Sequence, residues 1–263
     1  MNIYRQELRM LTPSAIYWSL GMLVCLLLFM LIYPPVAADV QGLEAVLANF
    51  PLEMRKALGL SSLNLARVLE FYAFVFLYIL LIGAVFAMKS SLAVLSEEAR
   101  SKTTDFLLSK PVSRFVIVTA KWGAVLTALL LQSILLILFS YMIVRIYGSF
   151  SSSLFLLITL SLIQMQLFFS ALGLFLAALV RRMRSVLPLA LGIVFGFFLV
   201  QIINQSVGER ALGYITPFAY FDPATIVQHG AYNPTLVIIN LSVSAVLVIA
   251  GYMAYHKKDF AAQ

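Results

Sequence analysis

The chain has 263 residues, of which 62 % are apolar and 11 % are charged. Soluble domains average about half apolar and about a quarter charged residues, so this composition excludes an ordinary soluble protein and indicates an integral membrane protein. The net charge of +7 would favour nucleic-acid binding in a soluble protein. In a membrane protein, the positions of the basic residues first indicate the topology.

Six apolar runs predict an all-α protein that crosses the membrane six times. A helix that spans the hydrocarbon core needs about 20 mostly apolar residues. The breaks between the runs are too short and too apolar for a separate soluble domain, so residues 1–263 are predicted to form one transmembrane domain. The predicted spans are residues 15–33, 69–94, 115–144, 154–180, 186–203 and 234–252.

The basic residues predict the orientation of the spans. With the N-terminus inside, thirteen of the 18 lysines and arginines lie on the cytoplasmic side. Cytoplasmic loops of membrane proteins carry the excess of positive charge, so both termini are predicted to be cytoplasmic. The positive charge thus reflects topology, and no nucleic-acid partner is expected. The five basic residues left outside are Arg55, Lys56, Arg67, Arg145 and Arg210.

Three segments outside the spans have patterns of their own. Residues 1–13 mix apolar and charged side chains, which predicts either an amphipathic lead-in helix in the headgroup plane or a plain charged tail. In the outer connection after the first span, helical periodicity predicts two short helices, with Pro51 and Gly59 where the second would begin and end. Residues 212–233 interleave aromatic residues with prolines, which indicates a turn-rich element that dips into the headgroups or re-enters partway.

Small and amide side chains within the spans are candidates for helix packing. Small residues four positions apart let helices approach closely in lipid. Gly173 and Ala177 form such a pair in the fourth span, and Gly192 and Gly196 form one in the fifth. Buried amides could join helices or line a wet path, and joining is the commoner outcome. The amides of the spans are Gln132, Gln164, Gln166, Gln201 and Asn240.

The sequence lacks the patterns of common catalytic sites. It has no GxxxxGK[ST] phosphate-binding loop and no HExxH, so we expect neither ATP hydrolysis nor zinc-protease activity from this chain. The two histidines, His229 and His256, fall on opposite sides of the membrane in this topology, which excludes a zinc site built from His and Cys. Ionisable residues are nearly absent at mid-membrane depth, which argues against proton coupling. No catalytic residue, cofactor or metal is therefore expected in this chain.

Residues 96–114 form a dense charged segment between the second and third spans. The charges surround an apolar triplet, Phe106, Leu107 and Leu108, which ends at Lys110 and Pro111. A solvated connector is the ordinary explanation of a charged loop. The embedded apolar triplet favours a surface that contacts another protein.

With six spans and both ends inside, this segment resembles the loop of the ABC type-2 permease family, the membrane subunits of ABC transporters. In the family's loop, an acidic residue is followed by three residues of any kind and then by Gly-Thr. A second acidic residue stands two positions after the threonine, and the loop continues approximately as Leu-Leu-Ser, any residue and Pro-Val-Ser-Arg. Lys102 stands where glycine is frequent, and Asp105 replaces the more usual glutamate. Lys121 resembles the family's lysine just inside the third span, and residues 257–260 resemble its basic-acidic end. The loop matches at Glu98, Thr103, Asp105, Leu107, Leu108, Ser109, Pro111, Val112, Ser113 and Arg114.

The resemblance implies a permease that couples ATP hydrolysis on a partner to export across the plasma membrane of a bacterium. Two such subunits would form a homodimer or heterodimer, surrounded by membrane lipid, with two copies of a cytoplasmic ATPase that holds the ATP and Mg²⁺. The segment between the second and third spans would form a coupling helix against the ATPase. The residues implied in that contact are Glu97, Glu98, Lys102, Thr103, Asp105, Phe106, Leu107, Leu108, Lys110, Pro111 and Arg114.

Two other functions remain open from the sequence. A non-transporting membrane scaffold or signalling subunit driven by an ATPase would have the same sequence features. A secondary transporter would show inverted repeats and charges within its spans, and neither is seen. The substrate is also open among peptide, antibiotic, lipid and ion.

Overall fold

The computed structural model describes residues 3–57, 59–60, 63–101, 113–180 and 185–257, and every regular element in these ranges is a helix. Six helices are long and apolar enough to cross a membrane, which confirms the predicted number of spans. They are α1 (Ile3–Ala38), α4 (Val68–Ser101), α5 (Arg114–Tyr147), α6 (Ser152–Leu179), α7 (Val186–Val207) and α11 (Pro234–Lys257). The short helices are α2 (Val40–Ala48), α3 (Leu52–Ala57), α8 (Arg210–Gly213), α9 (Pro217–Tyr220) and α10 (Pro223–His229).

Helices α4 and α6 form the core of the bundle. In their most apolar stretches 78 % and 61 % of the residues are buried, against 17 % for α11. Tyr72 stacks on Phe155 with ring centroids 5.2 Å apart, and further along both helices Gly173 lies against Met88. Residue numbers rise together along the two helices, so α4 and α6 run parallel. That direction is required when one span, α5, lies between them in the chain.

The two small-residue pairs lie in different environments. A methyl group on Gly173 would come within 2.8 Å of Ser91 Cβ and 2.9 Å of the Met88 carbonyl oxygen, so this glycine lets α6 pack directly on the backbone of α4. Ala177, one turn later, is fully buried. A methyl group on Gly192 or Gly196 would meet nothing within 4 Å, so this face of α7 is open in a single copy of the chain.

We expect Gly173→Ala to destabilise the protein by about 1–3 kcal/mol, the usual cost of overpacking, because the Met88 carbonyl belongs to a helix backbone and cannot move aside. Gly21→Ala, in α1, is the matched control, because a methyl group there meets nothing within 4 Å and alanine is the better helix former. It should be neutral or slightly stabilising. Thermal unfolding of the two purified variants measures the difference. Equal losses in both would contradict the assigned contact.

Helix α1 includes the lead-in segment, which is helical rather than a plain charged tail. Residues 3–13 are helical, but they continue into the first span without a break through Pro13. A proline inside a helix costs about 3 kcal/mol, because it removes one hydrogen bond and crowds the preceding turn. The contacts of this region with α5 offset that cost: the Tyr4 and Thr127 hydroxyls lie 2.9 Å apart, and Glu7 pairs with Lys121. Proline alone therefore does not mark the boundary of the span.

The connection between α1 and α4 contains the two short helices predicted from its periodicity. Asp39 caps α2, its carboxylate accepting a 2.8 Å hydrogen bond from the amide of Gly42. Helix α3 begins directly after Pro51, and Gly59 beyond it has a positive φ of 71°. That left-handed conformation is natural for glycine and suits a helix end. Both sequence signals therefore predicted the boundaries of α3.

The connection between α7 and α11 enters the bundle. Thr216 donates a 2.9 Å hydrogen bond to the carbonyl of Phe197, which lies ten residues before the end of α7, or about 15 Å along the helix. Phe218 is fully buried, with its ring 5.8 Å from that of Phe169 and 5.4 Å from that of Phe198. Of the two alternatives from the sequence, the segment therefore adopts the one that re-enters between spans.

Candidate functional site at the base of the helix bundle

The segment predicted to couple to an ATPase joins the end of α4 to the start of α5. We call this end of the bundle, where α1 begins and α11 ends, the base. Lys102, Thr103, Asp105, Phe106, Leu107, Leu108, Lys110 and Pro111 lie outside the described residues. The backbone of Glu97 and Glu98 belongs to α4, which continues to Ser101, seven residues beyond the predicted end of the span. On the other side Ser113 caps α5, its hydroxyl accepting a 3.4 Å hydrogen bond from the amide of Val116.

A buried ion pair joins three helices at the base. Lys121 of α5 has only 1 % of its side chain exposed, and its Nζ lies 2.5 Å from the Glu7 carboxylate of α1. The same ammonium donates a 2.8 Å hydrogen bond to the carbonyl of Val94 in α4. A buried ammonium requires such partners, because removing a charge from water costs several kcal/mol. The pair therefore fixes the start of α5 against α1 and α4.

A second set of contacts joins the start of α5 to the end of α11. Arg114 donates a 2.9 Å hydrogen bond from Nη1 to the carbonyl of His256. One turn on, the hydroxyls of Thr119 and Tyr252 lie 3.0 Å apart, and the ring of Phe115 packs 5.1 Å from that of Tyr252. Of the predicted coupling residues, Arg114 is the one whose side chain is described, and it holds two distant parts of the chain together.

An amide network joins helices in the middle of the bundle. Gln166 of α6 donates a 2.8 Å hydrogen bond to the Gln132 side chain of α5, and Ser133 donates one of 2.9 Å to Gln166. Gln132 in turn lies 3.7 Å from the sulfur of Met22 in α1. Asn240 of α11 donates to the carbonyl of Gln164 at 3.3 Å. These amides join helices, as expected from the sequence.

A cavity of about 610 Å³ opens at the end of the bundle opposite the base. Tyr33 at its edge donates a 2.8 Å hydrogen bond to the carbonyl of Ala66, and Arg67 lies 3.4 Å from the carboxylate of Glu70. Glu70 also accepts a hydrogen bond from the amide of Asn64. These bonds order the chain as it enters α4. The cavity therefore has a mixed polar and aromatic wall rather than a catalytic arrangement.

The described residues contain no group of three or more His, Cys, Asp or Glu side chains that could hold a metal ion. His229 lies 3.0 Å from the carbonyl of Thr225 in its own helix, so it closes the end of α10. The base is built for mechanical connection: the helices on either side of residues 102–112 are tied to α1 through Lys121 and to α11 through Arg114. The start of α5 is therefore held against α1, α4 and α11.

The sequence indicated Lys121 through the family resemblance, and it did not indicate Glu7 as its partner. The two residues are 114 positions apart, and no periodicity relates them. The position of Lys121 in an apolar run was a second available signal, since a lysine there needs a counterion. The partner became identifiable only once α1 was seen to pack along α5.

Residues 1–260 match the protein-family model described as ABC-2 family transporter protein. The match includes all six spans and the base. No curated protein matches the chain. The chain therefore belongs to the ABC-2 family of transporter proteins.

Proposed function

We propose that this membrane permease component of an ABC transporter couples ATP hydrolysis by a separate ATPase subunit to the export of a substrate. The observation that carries the proposal is the construction of the base. Residues 102–112, where the sequence predicts the ATPase contact, lie between two helix ends that are tied to the first and last spans by Lys121 and Arg114. ATP and Mg²⁺ would bind on the partner ATPase.

The proposed mechanism is mechanical, with no chemical step in this chain. Movement of the ATPase would displace residues 102–112, and with them the ends of α4 and α5. Because α4 packs tightly on α6 at Gly173, these core helices would move as one body. Rigid packing of this kind favours discrete rearrangements over continuous deformation. The less buried helices α1, α7 and α11 would then change position relative to a second permease subunit.

A second permease subunit, identical or different, completes the proposed transporter. The faces of α7 and α11 are largely uncovered in a single copy, with 28 % and 17 % of their most apolar stretches buried. Gly192 and Gly196 lie on such an open face, where a partner helix could approach closely. Lipid would cover whatever the partner leaves exposed.

Reconstitution with a cognate ATPase tests the function. We expect the purified chain alone to show no ATP hydrolysis, and the complex in vesicles to accumulate a substrate on the side opposite the ATPase when ATP is supplied. Hydrolysis by the highly purified chain would contradict the proposal. ATPase stimulation without movement of any substrate in a panel of peptides, antibiotics, lipids and ions would instead favour the scaffold or signalling function.

The proposed orientation places the base and both termini in the cytoplasm of a bacterium, since thirteen of the 18 basic residues then lie inside. Cysteine-labelling measures it directly. We expect a cysteine at Asn49 to react with an impermeant reagent added outside intact cells, and one at Lys257 to react only after the membrane is opened. The reverse pattern would invert the assigned orientation.

A further inference from the structure

A cleft of about 170 Å³ lies between α1 and α4, close to the base. Its wall combines a basic side chain and two hydroxyl groups with apolar residues. The lining residues are Glu7, Met10, Leu11, Ser14, Lys89, Ser90, Ala93 and Val94.

Lys89 in this cleft has spare hydrogen-bonding capacity. Its Nζ donates to the Ser14 hydroxyl at 3.2 Å and lies 5.8 Å from the ring centroid of Trp18 and 5.9 Å from that of Phe86. An ammonium has three donors, and Ser14 accepts one of them. No carboxylate of the described residues lies within ion-pair distance of Lys89. The two rings thus fix the direction of the side chain and leave donors for a further acceptor.

The net charge of the groups around the cleft also favours an anion. Glu7, the acid in the wall, is engaged by Lys121 at 2.5 Å. The formal charges of Glu7, Lys121 and Lys89 add up to one positive charge at the cleft.

The cleft lies at the level of phospholipid headgroups. Glu70 lies near the opposite end of α4. Lys89 comes 19 residues after Glu70, which corresponds to about 28 Å along a helix. Ser14 and Tyr33 in α1 are also 19 residues apart. This distance is close to the thickness of the hydrocarbon core, about 30 Å, so with Glu70 and Tyr33 at one boundary both cleft residues lie at the other, on the side of the base. Met10, beside the cleft and 58 % exposed, continues its wall as an apolar surface.

From these observations we infer that the cleft between α1 and α4 is a binding site for a phosphate group, supplied by an anionic phospholipid of the leaflet on the side of the base. Lys89 and Ser14 contact the phosphate oxygens, and an acyl chain lies along Met10. Basic pockets between transmembrane helices bind lipid headgroups in this manner. The site does not depend on the direction of transport or on an ATPase partner.

Native mass spectrometry of the purified chain, titrated with phosphatidylglycerol or phosphatidylcholine, tests the site. We expect one phosphatidylglycerol to bind in preference to phosphatidylcholine, and Lys89→Met to weaken that binding by about tenfold or more, the usual effect of losing a charged hydrogen bond. Lys89→Arg should retain most of the affinity. Lys257→Met, which removes an exposed lysine on the same side, should change it less than about twofold.

Inorganic phosphate forms the second arm of the titration. If it binds to the wild-type chain and not to Lys89→Met, while phosphatidylglycerol binds equally to both, the phosphate group comes from solution rather than from lipid. Unchanged binding of both ligands in Lys89→Met would overturn the site. Should Lys89→Met fail to fold, photo-crosslinking of the wild-type chain with photoactivatable phosphatidylglycerol decides: label on peptides 7–14 or 89–94 supports the site, and label confined to other peptides refutes it.

Discussion

Lys121→Met is expected to destabilise the protein by about 3 kcal/mol or more, because it leaves the Glu7 carboxylate without its partner in a site that is largely closed to water. Lys121 has 1 % of its side chain exposed and Glu7 14 %, so solvent screening weakens the pair little. The hydrogen bond to the Val94 carbonyl is lost as well. Thermal unfolding of the purified protein, compared with Lys257→Met as an exposed control, measures the effect.

A double variant separates the ion pair from simple loss of side-chain volume. Glu7→Gln with Lys121→Met removes both charges, so it should be more stable than Lys121→Met alone. We also expect Lys121→Met to reduce stimulation of a partner ATPase, because the start of α5 is no longer fixed to α1. If Lys121→Met unfolds at the same temperature as Lys257→Met, the pair does not hold the base together.

The second large effect is expected at the predicted ATPase contact. Phe106→Ala should release the ATPase while membrane insertion remains intact. Truncating a buried aromatic anchor at an interface costs about 2 kcal/mol or more, roughly a thirtyfold loss of affinity. Leu107→Asp should act in the same direction. Co-purification of the ATPase with each variant, at several protein concentrations, measures the loss.

Two controls test whether the contact is assigned to the right segment. Asp105→Lys, at the expected polar rim, should weaken assembly less, and the loss should depend on salt concentration. Arg182→Ala, in the other connection on the same side, should have little effect. If Phe106→Ala assembled fully with the ATPase and Arg182→Ala did not, the contact would lie in the connection that contains Arg182.

The spans and the outer helices were predictable because their signals are local. Apolar length predicts a span wherever it lies, and the Pro51 and Gly59 signals depend on backbone preferences of single residues. Local signals did not show that residues 3–13 form one continuous helix with the first span, in which contacts of Tyr4 and Glu7 with α5 hold the start of α1. Tertiary contacts outweighed a local preference that is sound in isolation.

The partners of buried polar residues could not be predicted from the sequence. The amides were recognised as candidates for joining helices, yet nothing local connects Gln132 with Gln166 or Lys121 with Glu7. The small-residue pairs show the same limit. Gly173 and Gly192 have equivalent sequence signals, but one lies against a helix backbone and the other meets no neighbour. Which faces of the helices meet is a property of the assembled bundle.

The re-entrant position of residues 216–221 determines the order in which the protein assembles. Phe218 packs between Phe169 of α6 and Phe198 of α7, so its site exists only after both helices have met. The short helix α9 leaves polar backbone groups at its ends, and lipid cannot satisfy them. The segment therefore cannot enter the membrane ahead of its neighbours. We therefore expect this part of the chain to close the bundle last, together with α11.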